Sequence, residues 1–163
     1  MRTTLLALTA VAALGSFSAA HAATELYSAS LEGPSETPPN KTTGFGQFSG
    51  TLNTDTKVLT YNLSYQNLTG PAAAAHIHSG APGQAGPPVV PFTGDLSSPI
   101  VGKATLTDAQ MADLKAGKWY VNVHTAANKG GEIRGQIKPV DTSVTYPKGF
   151  GPSQLPFQPR GGK

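Results

Sequence analysis

Three histidines are the residues of this sequence best suited to chemistry. His76 and His78 stand two positions apart in an apolar stretch, with Ile77 between them, and His124 follows much later in the chain. In a β-strand, residues i and i+2 point to the same face, so two imidazoles with this spacing can hold one metal ion. The fourth histidine, His21, lies in an N-terminal segment that reads as a removable leader. After its removal, every histidine would belong to one group.

His124 ends an alternating run that begins at Trp119 and predicts a second strand. In that strand Asn122 and His124 face one way, and two valines face the other. If this strand lies beside the strand of His76 and His78, three imidazoles meet on one face of the sheet. Three neutral imidazoles with an open fourth position suit copper or catalytic zinc.

The same alternation predicts which side chains point into the core. The residues expected to point inward are Ile77, Val121, Val123, Ile133 and Ile137. Those expected to point outward are His76, His78, Asn122, His124, Arg134 and Gln136. The ligands would then lie on the outer wall of a barrel, where loops must shelter them. A cationic Arg134 beside the metal would attract a small anion.

Each of these residues also has a structural interpretation. The histidines could be structural side chains, and Arg134 could be a surface residue paired with Glu132, its i+2 neighbour. Asn122 could orient a histidine or simply be solvated. Trp119 and Tyr120 are better explained by packing than by redox chemistry.

Composition excludes several classes of protein. The chain has 163 residues, 19 glycines, 14 prolines and no cysteine. Thiolate chemistry, cysteine zinc sites and blue-copper sites are therefore excluded. The net charge is +3, and the lysines and arginines are scattered, so nucleic acid is not an expected partner.

The chain divides into three parts. Residues 1–22 resemble a signal peptide, with Arg2, an apolar stretch over residues 5–14 and the small-x-small sequence that ends at Ala22. The apolar stretch is too short to span a membrane, so we expect an exported protein, periplasmic or secreted. Residues 23–138 form the predicted domain, and residues 139–163 a tail rich in proline and glycine.

Many short alternating segments predict an all-β fold, a Greek-key antiparallel β-barrel or sandwich with one short helix. The expected strands cover residues 26–31, 44–52, 57–65, the segment around His76, 100–106, 119–125 and 132–138. A capping box of Thr107 and Gln110 opens the helix, predicted over residues 108–116 and ended by Gly117, with Met111 and Leu114 on its buried side. Residues 79–91 are expected to form an irregular loop that is a lid or wall of the site.

Two long motifs resemble the CHRD (chordin-type) domain. The first runs from His76 to Gly83 and continues at residues 86–90; the second covers residues 119–125 and 131–137. Residues 31–39 look like the opening motif of that family. The resemblance covers roughly residues 26–137 and implies an exported domain, without implying a single activity.

A more distant resemblance, to copper–zinc superoxide dismutases, concerns the chemistry. His76 and His78 match a His-x-His pair of those enzymes, His124 a later histidine, and Arg134 an arginine that guides the anion. The resemblance implies a Greek-key barrel with copper on its outer wall. No histidine remains for a zinc site and the cysteines of the disulfide are absent, so only a copper-only site, or one completed by a second subunit, would remain.

The sequence therefore leaves several functions open. The first is an exported copper protein using His76, His78 and His124, with superoxide dismutation as its reaction and superoxide as its small-anion partner. The alternative is a non-enzymatic copper carrier or buffer, or an interaction module; a homodimer is left open. A zinc hydrolase is weaker, because only Glu132 or Asp95 could serve as its general base.

Overall fold

The computed structural model describes residues 23–141. The predicted leader, residues 1–22, and most of the predicted tail, residues 142–163, lie outside the described residues, so both stay predictions. No helix within the described part of the chain is long and apolar enough to cross a membrane.

Nine strands and one α-helix make up the described domain. The strands are β1 (Thr24–Glu32), β2 (Phe45–Asn53), β3 (Val58–Gln66), β4 (Ala72–Ser79), β5 (Pro88–Pro91), β6 (Ile100–Thr105), β7 (Trp119–Thr125), β8 (Ile133–Gln136) and β9 (Lys138–Pro139). The helix, α1, is Asp108–Lys115.

The strands form one antiparallel sheet, curled into a nearly closed barrel, in the order β5-β4-β7-β8-β1-β2-β3-β6. A short strand, β9, pairs with β1 beside this path. Consecutive strands β1, β2 and β3 are joined as hairpins, whereas β3 to β4 and β6 to β7 cross to non-adjacent positions. The predicted all-β barrel with one helix is confirmed.

The interior of the barrel is apolar. Ile77, Val121, Val123, Ile133 and Ile137, predicted to point inward, are all fully buried in the core cluster. Because side chains alternate along a strand, the histidines must then lie on the outer face, as predicted.

The helix begins as its sequence predicts. The Thr107 hydroxyl accepts a hydrogen bond from the Gln110 backbone, the Gln110 side chain accepts one from the Thr107 backbone, and Gly117 follows with φ +67°. Leu114 is fully buried, and Met111 is partly buried against the core.

Two segments differ from the sequence prediction. Residues 79–91 are not wholly irregular, because Pro88–Pro91 form β5 against β4. The position of β5 at the end of the sheet explains this, since proline lacks the N–H that a central strand would need. The last strand, predicted over residues 132–138, is divided into β8 and β9. Pairing also reaches into the predicted tail, where the Val140 N–H donates to the Leu26 carbonyl.

Candidate metal centre

Neighbouring strands bring the three histidines together. In the pairing of β4 with β7, His76 lies opposite Asn122, His78 opposite Tyr120, and Ala74 opposite His124. One potential ligand atom from each of His76, His78 and His124 lies within 4.8 Å of the other two. Among the histidines and carboxylates of residues 23–141, these three side chains form the group whose geometry could hold a metal ion.

Backbone carbonyls fix the orientation of two of the imidazoles. Nδ1 of His78 lies 2.9 Å from the Gly86 carbonyl, and Nδ1 of His124 lies 3.0 Å from the Lys129 carbonyl. Since a carbonyl only accepts hydrogen bonds, both Nδ1 atoms carry the proton, and both Nε2 atoms have a free lone pair. This is the arrangement that orients metal-binding histidines in many proteins.

The potential ligand atoms have few other partners. Nε2 of His78 is buried and has no hydrogen-bond partner. Nδ1 of His76 lies 3.3 Å from Nε2 of His124. These three nitrogens, Nδ1 of His76 and Nε2 of the other two, can serve as the donor set when His76 carries its proton on Nε2 instead of Nδ1.

Local electrostatics favour the neutral form of His76 and His124. Burial lowers the pKa of His76 below its usual value, and the neighbouring His124 and His78 lower it further. Burial likewise lowers the pKa of His124, although its hydrogen bond to the Lys129 carbonyl acts in the opposite direction. Neutral imidazole is the form that binds a metal, so proton competition is weak near neutral pH.

The loop after β4 forms a wall beside this group. Besides accepting from His78, Gly86 donates its N–H to the Tyr120 hydroxyl at 3.1 Å and accepts from that hydroxyl at 3.3 Å. The Gln136 side chain donates to the carbonyls of Gly80 and Gly117. The glycine-rich loop is thus tied by hydrogen bonds to the outer face of β7 and β8.

Arg134 also holds this loop by hydrogen bonds. Its side chain donates to the Thr37 hydroxyl and to the carbonyls of Ala81 and Gln84, at 3.2, 3.4 and 2.8 Å. The guanidinium carbon lies 3.5 Å from the centre of the Tyr120 ring, and the residue is only 3% exposed. Arg134 therefore packs against the site and does not extend freely into solvent.

The alternative pairing of Arg134 with Glu132 is wrong. The carboxylate of Glu132 is fully buried and accepts hydrogen bonds from a different set of groups: the hydroxyls of Thr42, Thr69 and Thr125, the Thr69 N–H and the Asn128 side chain. Strand β8 starts only at Ile133, so the i, i+2 alternation does not extend back to Glu132.

Sequence reasoning missed a buried polar pair beside the centre. Nδ2 of Asn122 donates to Oε2 of Glu36 at 3.1 Å, across 86 positions of sequence. Glu36 follows a short 3₁₀ turn at Gly33–Ser35 and is 6% exposed. Burial raises the pKa of Glu36 to about 7, against the opposing influence of Asn122 and the charge of Arg134. No local pattern links the two residues, because only the pairing of distant segments brings them into contact.

The fold and this site together define an antiparallel barrel with a three-histidine group on its outer face. A model of the CHRD domain family matches residues 27–137, and the chain belongs to that family. No curated protein and no solved structure matches it. The resemblance to copper–zinc superoxide dismutases is therefore not supported by these comparisons, whereas the CHRD prediction is confirmed.

Proposed function

We propose that this is an exported CHRD-domain protein that binds copper through His76, His78 and His124. The observation that carries the proposal is the orientation of His78 and His124, whose Nδ1 atoms are engaged by carbonyls, which leaves their Nε2 atoms unprotonated in the neutral rings. A histidine that packs for purely structural reasons would have no need to leave its buried Nε2 without a partner, as His78 does.

The donor set favours copper. Three imidazoles suit both Cu(I) and Cu(II), and no carboxylate joins the group as it does in many catalytic zinc sites. Zinc is the second choice, since its three-histidine sites are also well known.

The proposed reaction is superoxide dismutation. Copper held by the three histidines would supply the transfer of an electron from one superoxide to another, which yields O₂ and, with two protons, H₂O₂. The chain's own residues would hold the ion and supply charge. Arg134 adds a positive charge to the same face, because it lies opposite Asn122, which in turn lies opposite His76.

A copper carrier or buffer is the second candidate. The ties that hold Arg134 against the loop leave it little freedom to guide an anion, which favours binding without turnover. Export is supported by the leader-like residues 1–22 and by the typically extracellular location of CHRD domains. A homodimer and a pure interaction module remain alternatives to be distinguished by experiment.

The test is a copper titration of the mature protein, followed by electron paramagnetic resonance. The comparison is a His76→Ala/His78→Ala/His124→Ala variant. A matched control carries Thr60→Ala, Asn62→Ala and Ser64→Ala. These three substitutions fall at alternate, exposed positions of β3. We expect one Cu(II) per chain with nitrogen hyperfine structure in the wild type and the control, and none in the histidine variant.

The outcomes separate the candidates. Stoichiometric copper with catalytic loss of superoxide supports the dismutase, and stoichiometric copper without turnover supports the carrier. Equal weak binding to all three proteins would refute the metal site and leave an interaction module. Competition with zinc in the same titration identifies the preferred metal.

A further inference from the structure

Glu36 and Asn122 leave two buried oxygen atoms without hydrogen-bond partners. Asn122 donates through Nδ2 to Oε2 of Glu36, but Oε1 of Glu36 and Oδ1 of Asn122 have no partner. Both residues are more than nine-tenths buried. An unsatisfied buried acceptor destabilises the folded state, so two in one place require an explanation.

Both orphaned oxygens lie close to Gly131. Gly131 has no side chain, and a Cβ placed on it would lie 2.6 Å from Oε1 of Glu36 and 2.6 Å from Oδ1 of Asn122. Two acceptors that converge in this way repel each other if Glu36 is ionised. If Glu36 carries a proton, the acid can donate to the amide oxygen while it accepts from the amide nitrogen, and both groups are satisfied.

Exchanging the oxygen and nitrogen of the Asn122 amide does not remove the need for a proton. Oδ1 would then lie 3.1 Å from Oε2 of Glu36, again one acceptor against another. In either orientation, a proton on Glu36 gives the facing acceptor a donor.

We propose that Glu36 is held as a neutral carboxylic acid in a cyclic pair with Asn122 and stores a proton for the small anion reduced at the three-histidine group. The second half of this proposal rests on the proposed dismutase function. Reduction of superoxide to H₂O₂ consumes one electron, from reduced copper, and two protons. Glu36 would give one proton and become a carboxylate, solvent would give the other, and solvent would then reprotonate Glu36.

The location of Glu36 suits this role. Asn122 stands between Glu36 and His76, since it contacts the acid and lies directly opposite His76 in the sheet. Glu36 also lines a cavity of about 450 Å³ with Arg134 and Gln136, through which it can exchange protons with solvent.

The charges around Glu36 are few. Burial raises the pKa of Glu36 to about 7, although hydrogen bonds from Asn122 and the Thr37 backbone and the charge of Arg134 on β8 all lower it. Lys129, which lines a second cavity with Glu36, is exposed. From β7, the residue that contacts Glu36 is Asn122, which is uncharged. A proton held near neutral pH is therefore compatible with the surroundings.

Infrared spectroscopy of the metal-free protein tests the first half. We expect the C=O stretch of a protonated carboxyl group in the wild type, lost with a midpoint near pH 7. Glu36→Gln should lack this band and keep the fold, because an amide can form the same cyclic pair with Asn122. Glu32→Gln, which changes an exposed acid on β1, should keep the band. A wild-type spectrum at pH 6 without the band would overturn the proposal, whatever copper does.

The copper-loaded protein tests the second half. The wild-type rate of dismutation should fall as pH rises through about 7, whereas Glu36→Gln should be slower by about tenfold at pH 6 and nearly independent of pH. Copper stoichiometry should be the same in both. Identical pH profiles would overturn the role as proton donor. Failure of the wild type to bind copper would remove the proposed function and this role together, while the infrared band would still decide the protonation of Glu36.

Discussion

The ring of Tyr120 lies flat against the imidazole of His78, with centroids 4.9 Å apart and planes inclined by 14°. The guanidinium of Arg134 lies over the same tyrosine ring. Since β4 and β8 flank β7 on opposite sides, the tyrosine ring separates the histidine from the arginine. Tyr120 therefore links the three-histidine group, the loop through Gly86 and the guanidinium of Arg134.

Tyr120→Phe tests this link. The change keeps the stacked ring but removes the hydroxyl that bonds to Gly86, so the carbonyl that orients His78 is less firmly held. We expect copper affinity to fall by about tenfold, at the lower end of the range for residues that orient ligands. Competition with a chromogenic chelator measures it, and Tyr61→Phe, a core tyrosine on β3, is the control. Unchanged affinity would show that stacking alone positions His78.

Glu132→Gln tests the buried carboxylate near His124. Hydrogen bonds from the three threonines hold the pKa of Glu132 at about 2, below its ordinary 4.5, despite burial. Between pH 2 and pH 4.5, Glu132 therefore binds fewer protons in the folded protein than in the unfolded chain. The stabilisation is complete above pH 4.5 and is lost as pH falls towards 2.

We therefore expect Glu132→Gln to lower the free energy of unfolding at pH 7 by about 2–3 kcal/mol. The difference in the free energy of unfolding between the variant and the wild type should narrow as pH falls from 4.5 to 2. Urea titrations at several pH values measure this, with the exposed Asp55→Asn as the control. A gap that stays constant with pH would show that packing, not ionisation, is responsible.

Arg134 has two separable contributions. Arg134→Lys keeps the positive charge but cannot reproduce the hydrogen bonds to Thr37, Ala81 and Gln84, so we expect a loss of about 1–3 kcal/mol in stability. Arg134→Gln removes the charge as well. If Arg134 attracts the anion, the dismutation rate of Arg134→Gln should depend less on ionic strength than that of the wild type, whereas Arg134→Lys should keep the wild-type dependence. Lys138→Gln, an exposed cation on β9, serves as the control. If the rate depends equally on ionic strength in all variants, Arg134 holds the loop and does not attract the anion.

Gly131→Ala should disturb the buried pair of Glu36 and Asn122. Gly131 has φ +135°, and an added Cβ would lie 2.6 Å from atoms of both side chains. We expect a loss of about 1–3 kcal/mol from backbone strain and displaced polar groups. Gly130→Ala is a matched control, since its Cβ would meet open space. Equal thermal stability of the two variants would contradict the close packing described here.

Local patterns in the sequence predicted much of the site. Alternation along single strands assigns the inward residues of β7 and β8, and the spacing of His76 and His78 places both on one face, because the two-residue repeat is a property of the strand itself. The capping box of α1 is equally local. The CHRD motifs likewise lie within short continuous segments.

Which distant groups meet depends on how the strands pair. The register of β4 against β7 brings His124 to the histidine pair, and the loop after β4 supplies the carbonyl that orients His78. The start of β8 at Ile133 separates Glu132 from Arg134. The contact of Glu36 with Asn122 depends on a turn far away in the chain. Hydrogen bonds and burial between remote segments are set by how the whole sheet closes, and no local pattern of residues encodes them.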